Sequence, residues 1–276
     1  MSDRITRRRM LKGIAGAAGL GGPLLTGIPG RNARAATESQ SQSAASPRVG
    51  IRRCTTYKPR TVRARFDELF DMLGGIGDMV RHKTVTIKTN MTGMDWKPFA
   101  GMPAYETYQT HPHTVAALCA ALHDAGARRI VVVENYYEDK APEKILQDAG
   151  WDVKAIKSAG GHKVLFEDCR NLGQWSSYSR FKVPWGGFIY PAFDLNKRFE
   201  KTDVFISLSK LKQHAAAGVT MTAKNLFGIT PCSLYGNNAP DENCLVHRTR
   251  MFHGGNKKTP AGVPSELDHE LPRRGN

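Results

Sequence analysis

Between Asp203 and Gly228 the chain reads DVFISLSKLKQHAAAGVTMTAKNLFG, and here it gathers its unusual chemistry. Lys210, Lys212 and His214 come first, then the small residues Ala215 to Gly218, then Thr220, Thr222, Lys224 and Asn225. A lysine set among Ala, Gly and Met is poorly solvated. Desolvation lowers its pKa toward nucleophilic use, or leaves an ammonium seeking an anion. A histidine ten residues earlier titrates near neutrality and suits acid/base work. The competing reading is a solvated basic loop followed by an ordinary helix; the apolar neighbours of Lys224 weigh against it. Lys88 and Asn90 form a second candidate group, where an ammonium and an amide could hold an anion or a carbonyl, or serve only as an edge lysine and a turn asparagine. Thr110 and His111 form a third, at the positive end of a helix, where anions are stabilised, although a histidine there can simply cap the helix. Lys212 and Asn225 complete the expected anion-binding set. His214 with His247 is the loosest expectation, a pair of metal ligands that only the fold could bring together.

These residues need strands to carry them. Val204, Phe205, Ile206 and Leu208 form a short run apolar on both faces, as in a buried parallel strand. Thr84 to Lys88, TVTIK, is another such run, and Arg129 to Val133 a third. In open α/β sheets ligands collect beyond the carboxyl ends of strands, which is where Lys88, Asn90, Lys210 and Lys212 fall. Helical spacing marks Val62, Phe66, Leu69, Phe70 and Leu73, and again Val115, Leu118, Cys119 and Leu122 after Pro112; a shorter helix spans Ala141 to Gly150. Strand and helix alternate, which predicts parallel βαβ units in a Rossmann-like α/β domain with helices on both faces of a mostly parallel sheet. Val49, Ile51 and Cys54 read as a first strand. Met91 to Thr110 has no regular period and is expected to be a long loop over the site. From Trp151 to Phe199 the pattern weakens: a strand near Val164 to Phe166, a hairpin of Phe181 to Val183 with Phe188 to Tyr190, and Glu167 and Asp168 without evident partners.

The chain has 276 residues, a formal charge of +15 and 40% hydrophobic content, ordinary for a globular protein. Residues 1–36 hold seven of the 40 Lys/Arg and one of the 25 Asp/Glu, which leaves 33 bases and 24 acids, or +9, on the rest. That excess favours anionic partners in general. The first 36 residues read as an address. Thr6-Arg7-Arg8-Arg9-Met10-Leu11-Lys12 resembles a twin-arginine export motif, followed by a weakly apolar, glycine-rich stretch and the small-residue site Ala33-Arg34-Ala35. It is too rich in glycine for a stable membrane anchor. The expected destination is the periplasm or the extracellular space, through the twin-arginine export machinery, which disfavours a nucleic-acid role despite the charge. Residues 37–47 read as a disordered linker, and residues 48–276 as a single α/β domain.

Five cysteines without C-x-x-C spacing support neither a zinc ribbon nor a cysteine-bound iron–sulfur cluster. Cys119 reads as core, while Cys232 and Cys244 could pair in an oxidising compartment. There is no nucleotide fingerprint, neither a G-x-G-x-x-G after a strand nor a G-x-x-x-x-G-K-S/T, and the missing G-x-S-x-G argues against a nucleophile-elbow hydrolase.

Residues from about 49 to 253 resemble the uncharacterised family called domain of unknown function 362. The matching pieces are Ile87-Lys88-Thr89-Asn90, His111-Pro112 with the helix to Ala125-Gly126-Ala127, Val131 to Glu134, and Asp203 to His214 with Ala223-Lys224-Asn225-Leu226-Phe227-Gly228. The resemblance implies a Rossmann-like α/β domain and supplies no activity. Thr89 stands where the family usually has proline, and the chain ends before the family's later strand, leaving open whether the reading frame continues past Asn276. The order His214, Gly218, Lys224 also looks like a segment of nickel-pincer lactate-racemase-type enzymes. By that resemblance Lys224 would hold or contact a cofactor or carbonyl substrate and His214 would be acid/base or metal ligand. Met221 and Thr222 replace the paired glycines expected there. Two readings stay open: an exported enzyme acting on a small carboxylate-type anion with Lys224 and His214 as catalytic groups, or a non-catalytic periplasmic protein that binds a metal or an anion.

Overall fold

The computed structural model describes residues 48–92, 96–170, 178–186, 190–214, 217–236 and 248. The twin-arginine segment, the linker, Cys244 and His247 lie outside the described residues.

Elements follow in the order α1 (Pro59–Met72), α2 (Gly77–Val80), β1 (Thr84–Lys88), α3 (Ala104–Thr107), α4 (Pro112–Asp124), β2 (Arg129–Glu134), α5 (Pro142–Asp148), α6 (Val153–Ala159) and β3 (Val164–Asp168). Then come β4 (Tyr178–Lys182), β5 (Ala192–Asn196), β6 (Val204–Ser207), β7 (Lys212–His214), β8 (Gly218–Thr220), α7 (Thr222–Asn225), a 3-10 turn (Leu226–Ile229) and α8 (Cys232–Tyr235). The sheet that carries the molecule has four strands in the order β3-β2-β1-β6, every neighbour parallel. It is an α/β fold of the expected kind. β2 and β3 step one way from β1 and β6 steps the other way, so the order reverses at β1, between β2 and β6; such a reversal opens a crevice at the carboxyl ends.

Chemistry explains the centre of the sheet. TVTIK of β1 is buried at every position, and so is β2 apart from Arg129, because a parallel strand with both faces covered has no solvent side to alternate toward. Against the sheet, α4 packs between α1 and α6. Its inner stripe is Val115, Leu118, Cys119 and Leu122, each at most 2% exposed. Pro112 fits the first turn, where no N–H is needed, and Gly126 at φ +86° ends the helix in the left-handed region that glycine tolerates best.

Several of these expectations change. Val49 and Ile51 are not in a strand: they are 84% and 80% exposed, because apolar alternation makes a strand only where an edge accepts it. The Val204 strand is parallel but half-buried rather than buried, since β6 pairs only with β1 among the described residues. The long loop contains α3 and the Phe99–Met102 bridge. Glu167 and Asp168 do have partners, Arg198 at 2.6 Å and Arg170 at 3.0 Å. The hairpin exists with shifted limbs, β4 antiparallel to β5 with Phe181 opposite Phe193; residues 187–189 lie outside the described ones. Helix α6 went unexpected although Asp152 caps it, accepting from the Ala155 N–H at 2.9 Å.

Candidate functional site

A cleft of 190 Å³ opens at the carboxyl ends of β1 and β2, beside the reversal point. Lys88, Asn90 and Met91 come from the end of β1, Glu134, Asn135 and Tyr137 from the end of β2, and His214, Lys224, Asn225, Phe227 and Gly228 from the segment after β6; Arg248 closes the wall.

The floor is a closed set of charges. Lys88, 1% exposed, pairs with Glu134 and donates to the Thr89 carbonyl at 2.7 Å. Glu134 also accepts from the Met91 N–H at 2.8 Å and the Asn135 N–H at 3.0 Å. Both carboxylate oxygens are therefore occupied. A buried pair with that many donors keeps its desolvation penalty in check. Gly228 makes this fit possible: a Cβ there would lie 2.7 Å from Lys88 Nζ and 2.9 Å from its Cε.

The roof is different. Lys224 and Arg248 both lie over the Phe227 ring, each 4.8 Å from its centroid, and Arg248 is also 5.7 Å from the Tyr137 ring. Such stacking steadies a cation without neutralising it. Lys224 has no hydrogen-bond or carboxylate partner among the described residues. Burial lowers its pKa, helped by Arg248 and Lys88. Arg248 donates to the Thr230 carbonyl at 2.7 Å and to the Tyr137 hydroxyl at 3.0 Å, and its Nη1 lies 3.4 Å from Cys232 Sγ. Its Nε is buried without an acceptor among the described residues.

His214 and Lys224 line the same cleft, as their spacing suggested, and Lys88, Asn90 and Asn225 line it with them. The His214 Nδ1 accepts from the Ala217 N–H at 3.1 Å, so in the neutral ring the proton sits on Nε2. Thr110, His111 and Lys212 stand behind the wall. The Thr110 hydroxyl accepts from the Asn90 N–H at 2.8 Å and donates to the Leu208 carbonyl at 3.1 Å, tying the ends of β1 and β6 together. His111 caps α4 through Nδ1, accepting from the His113 N–H at 3.0 Å, and stacks on Tyr57 at 3.9 Å. Burial, then His113 and Lys210, hold its pKa down to about 4. Lys212 donates to the Tyr108 carbonyl at 2.6 Å, and burial with Lys224 nearby brings its pKa down to about 8.

Glu134, Asn135, Tyr137, Phe227, Gly228 and Arg248 went unassigned in the sequence. Glu134 and Asn135 were findable, since they end a parallel strand as Lys88 does. Arg248 carries no local signal. No group of three or more His, Cys, Asp or Glu is placed to hold a metal among the described residues, and His247 is not one of them. A cleft of 190 Å³ is below the roughly 300–1,000 Å³ typical of drug-sized ligands, so it suits a small ligand and not a bulky cofactor on Lys224.

Residues 85–253 match the family described as Domain of unknown function (DUF362), a span that holds every residue lining the cleft. The chain belongs to this family. It is also similar to the thylakoid-associated protein sll1697 of Synechocystis sp., 27% identical over 192 residues, which is 66% of this chain and 50% of that protein. The chain thus spans about half the length of this relative. No solved structure matches. Among the described residues no helix is long and apolar enough to cross a membrane.

Proposed function

We propose that this DUF362 protein binds a small carboxylate-type anion in the cleft and acts on it. One observation carries the reading: Lys224 and Arg248 bring cationic groups into a cleft whose one lining carboxylate among the described residues, Glu134, is already spent on Lys88. An entering carboxylate is the natural counter-charge for both, and an Arg guanidinium offers it directional N–H donors. With its Nδ1 accepting from the Ala217 N–H, the neutral His214 ring carries its proton on Nε2 and would meet a bound molecule as a donor rather than as a base. Lys224 serves as electrostatic anchor; its lowered pKa also enlarges the share of neutral amine that could add to a carbonyl.

Binding without turnover is the second reading. It is favoured by the neutralised Lys88–Glu134 pair, which leaves no carboxylate free among the described residues of this wall to act as a base. We also propose export through the twin-arginine machinery, with residues 1–36 removed, on the strength of Arg7-Arg8-Arg9 and the following stretch.

Calorimetry of a panel of small carboxylates against wild type and Lys224→Met tests the site. The variant should bind about tenfold to a hundredfold more weakly. Affinity unchanged by the substitution would remove Lys224 from the site. Incubating each bound carboxylate with the protein and following its conversion by NMR separates enzyme from binder.

A further inference from the structure

A second cavity, of 450 Å³, shares no lining residue with the cleft. It is a trough between helix α1 and the chain that leads into that helix. One wall is α1 itself, where Val62, Phe66 and Leu69 follow one another along the axis and span about 10 Å at about 1.5 Å per residue. The other wall comes from the stretch between Arg52 and Tyr57, which forms neither helix nor strand. The two ends of the trough differ. Tyr57 stands at the Val62 end, because the Lys58 carbonyl accepts from the Val62 N–H at 3.0 Å, and His113, beside Thr114, bonds the Tyr57 carbonyl at 2.8 Å. At the Leu69 end Arg52 and Arg65 converge on one acid: Arg52 Nε donates to Glu68 Oε2 at 3.0 Å, and Arg65 Nη1 donates to Oε1.

Two guanidiniums sharing one carboxylate leave a positive charge over. The local sequence adds to it, since residues 48–65 hold seven Lys/Arg and no Asp/Glu. Exposed Arg–Glu pairs contribute little, so a ligand carboxylate can join this set without a large loss. Between the ends, covering the apolar floor gains about 25 cal/mol per Å². The volume lies within the roughly 300–1,000 Å³ of ordinary small-molecule sites. The segment just before the trough is a poor filler for it, because Ala44, Ala45 and Pro47 are the only apolar side chains of residues 37–47. An elongated apolar floor with surplus guanidinium charge at one end calls for a ligand with the same two parts.

We propose that this trough binds a monomeric aliphatic carboxylate, its chain along Val62, Phe66 and Leu69 and its acid group at Arg52 and Arg65. The site stands apart from the anion reading of the cleft. Cys54, an exposed thiol in the trough wall, reports on it. The full chain is treated with iodoacetamide at fixed pH, and alkylation of Cys54 is timed by peptide mass spectrometry. Saturating decanoate, below its micellar concentration, should slow that reaction about tenfold or more, with buried Cys119 of α4 unaffected. Decanol keeps the chain without the charge, and propionate keeps the acid without the chain; each should need at least about tenfold more ligand for half protection. Arg65→Gln should weaken decanoate by about tenfold as well. Equal protection by decanol or by propionate overturns the proposal, and so does a decanoate response that a folded Arg65→Gln chain leaves unchanged. Faster alkylation of Cys119 also overturns it, because decanoate would then be opening the fold. Protection by anionic phospholipid vesicles but not by decanoate would assign this face to a membrane surface and overturn the monomeric ligand. Should the variant fail to fold, the wild-type series decides.

Discussion

The floor and the roof of the cleft are built on opposite electrostatic terms. At the floor, Lys88 and Glu134 close on each other, and backbone N–H groups from Met91 and Asn135 take the remaining carboxylate valence. At the roof, among the described residues, Lys224 rests on an aromatic ring with no carboxylate beside it and Arg248 keeps a buried N–H without an acceptor. The floor sits on the two central strands of a parallel sheet, where an unpaired charge would cost most. The roof hangs on short pieces, β7, β8 and α7, which contribute little to the sheet. The difference teaches that charge alone does not mark a binding group. Sequence made Lys88 and Lys224 look alike; only the partner of each tells which holds the fold together and which is free to meet a ligand.

If that division is right, stability should fall hardest when the floor loses one partner. Glu134→Ala strands a buried ammonium and should cost about 3–5 kcal/mol in urea unfolding, whereas Lys224→Met should move stability by no more than about 0.5 kcal/mol. Comparable losses for both variants would erase the distinction between floor and roof. Gly228→Ala probes the boundary between them. Its Cβ would meet the end of a lysine that is pinned by Glu134 and the Thr89 carbonyl, so the lysine cannot simply swing away. An overpacking cost of about 1–3 kcal/mol is expected, together with weaker anion binding if the floor tilts into the cleft. A neutral result would mean that the floor is looser than its bonds imply.

How much of this was readable before the coordinates follows the same line. β1, β2 and α4 were legible because burial on both faces, or a repeating stripe with Pro112 before and Gly126 after, writes itself into residue order. Lys88, Asn90, His214 and Lys224 were legible as one site because they follow strand ends in a sheet of predictable winding. The rest depends on contacts far apart in sequence. Glu134 looks like any acid at a strand end until Lys88 lies beside it, and Arg248 is brought in by a chain return with no periodic pattern. Val49 and Ile51 show the reverse error, a pattern with no neighbouring edge to pair with. His111 was read as an anion contact or a helix cap, and its ring is committed to the start of α4 and to Tyr57.

That commitment gives the smallest effect, and it concerns a residue behind the wall rather than in it. Burial, with His113 and Lys210, takes His111 from 6.5 to about 4 in the folded chain. Between those values the unfolded chain holds the proton and the folded one does not, so stability is full above pH 6.5 and declines as pH falls toward 4. Asp168 works against this, because burial raises it from 3.8 to about 6 and the folded chain takes that proton first. The net slope of wild type is therefore shallow, and the informative quantity is a difference. His111→Asn keeps a side-chain cap for α4 and removes the titration. Relative to wild type it should gain stability as pH falls from 6.5 to 4, because the Asp168 contribution then stands unopposed, measured by urea unfolding at each pH. Parallel curves would mean that His111 takes up its proton as readily in the folded chain as in the unfolded one, against the effect of its burial.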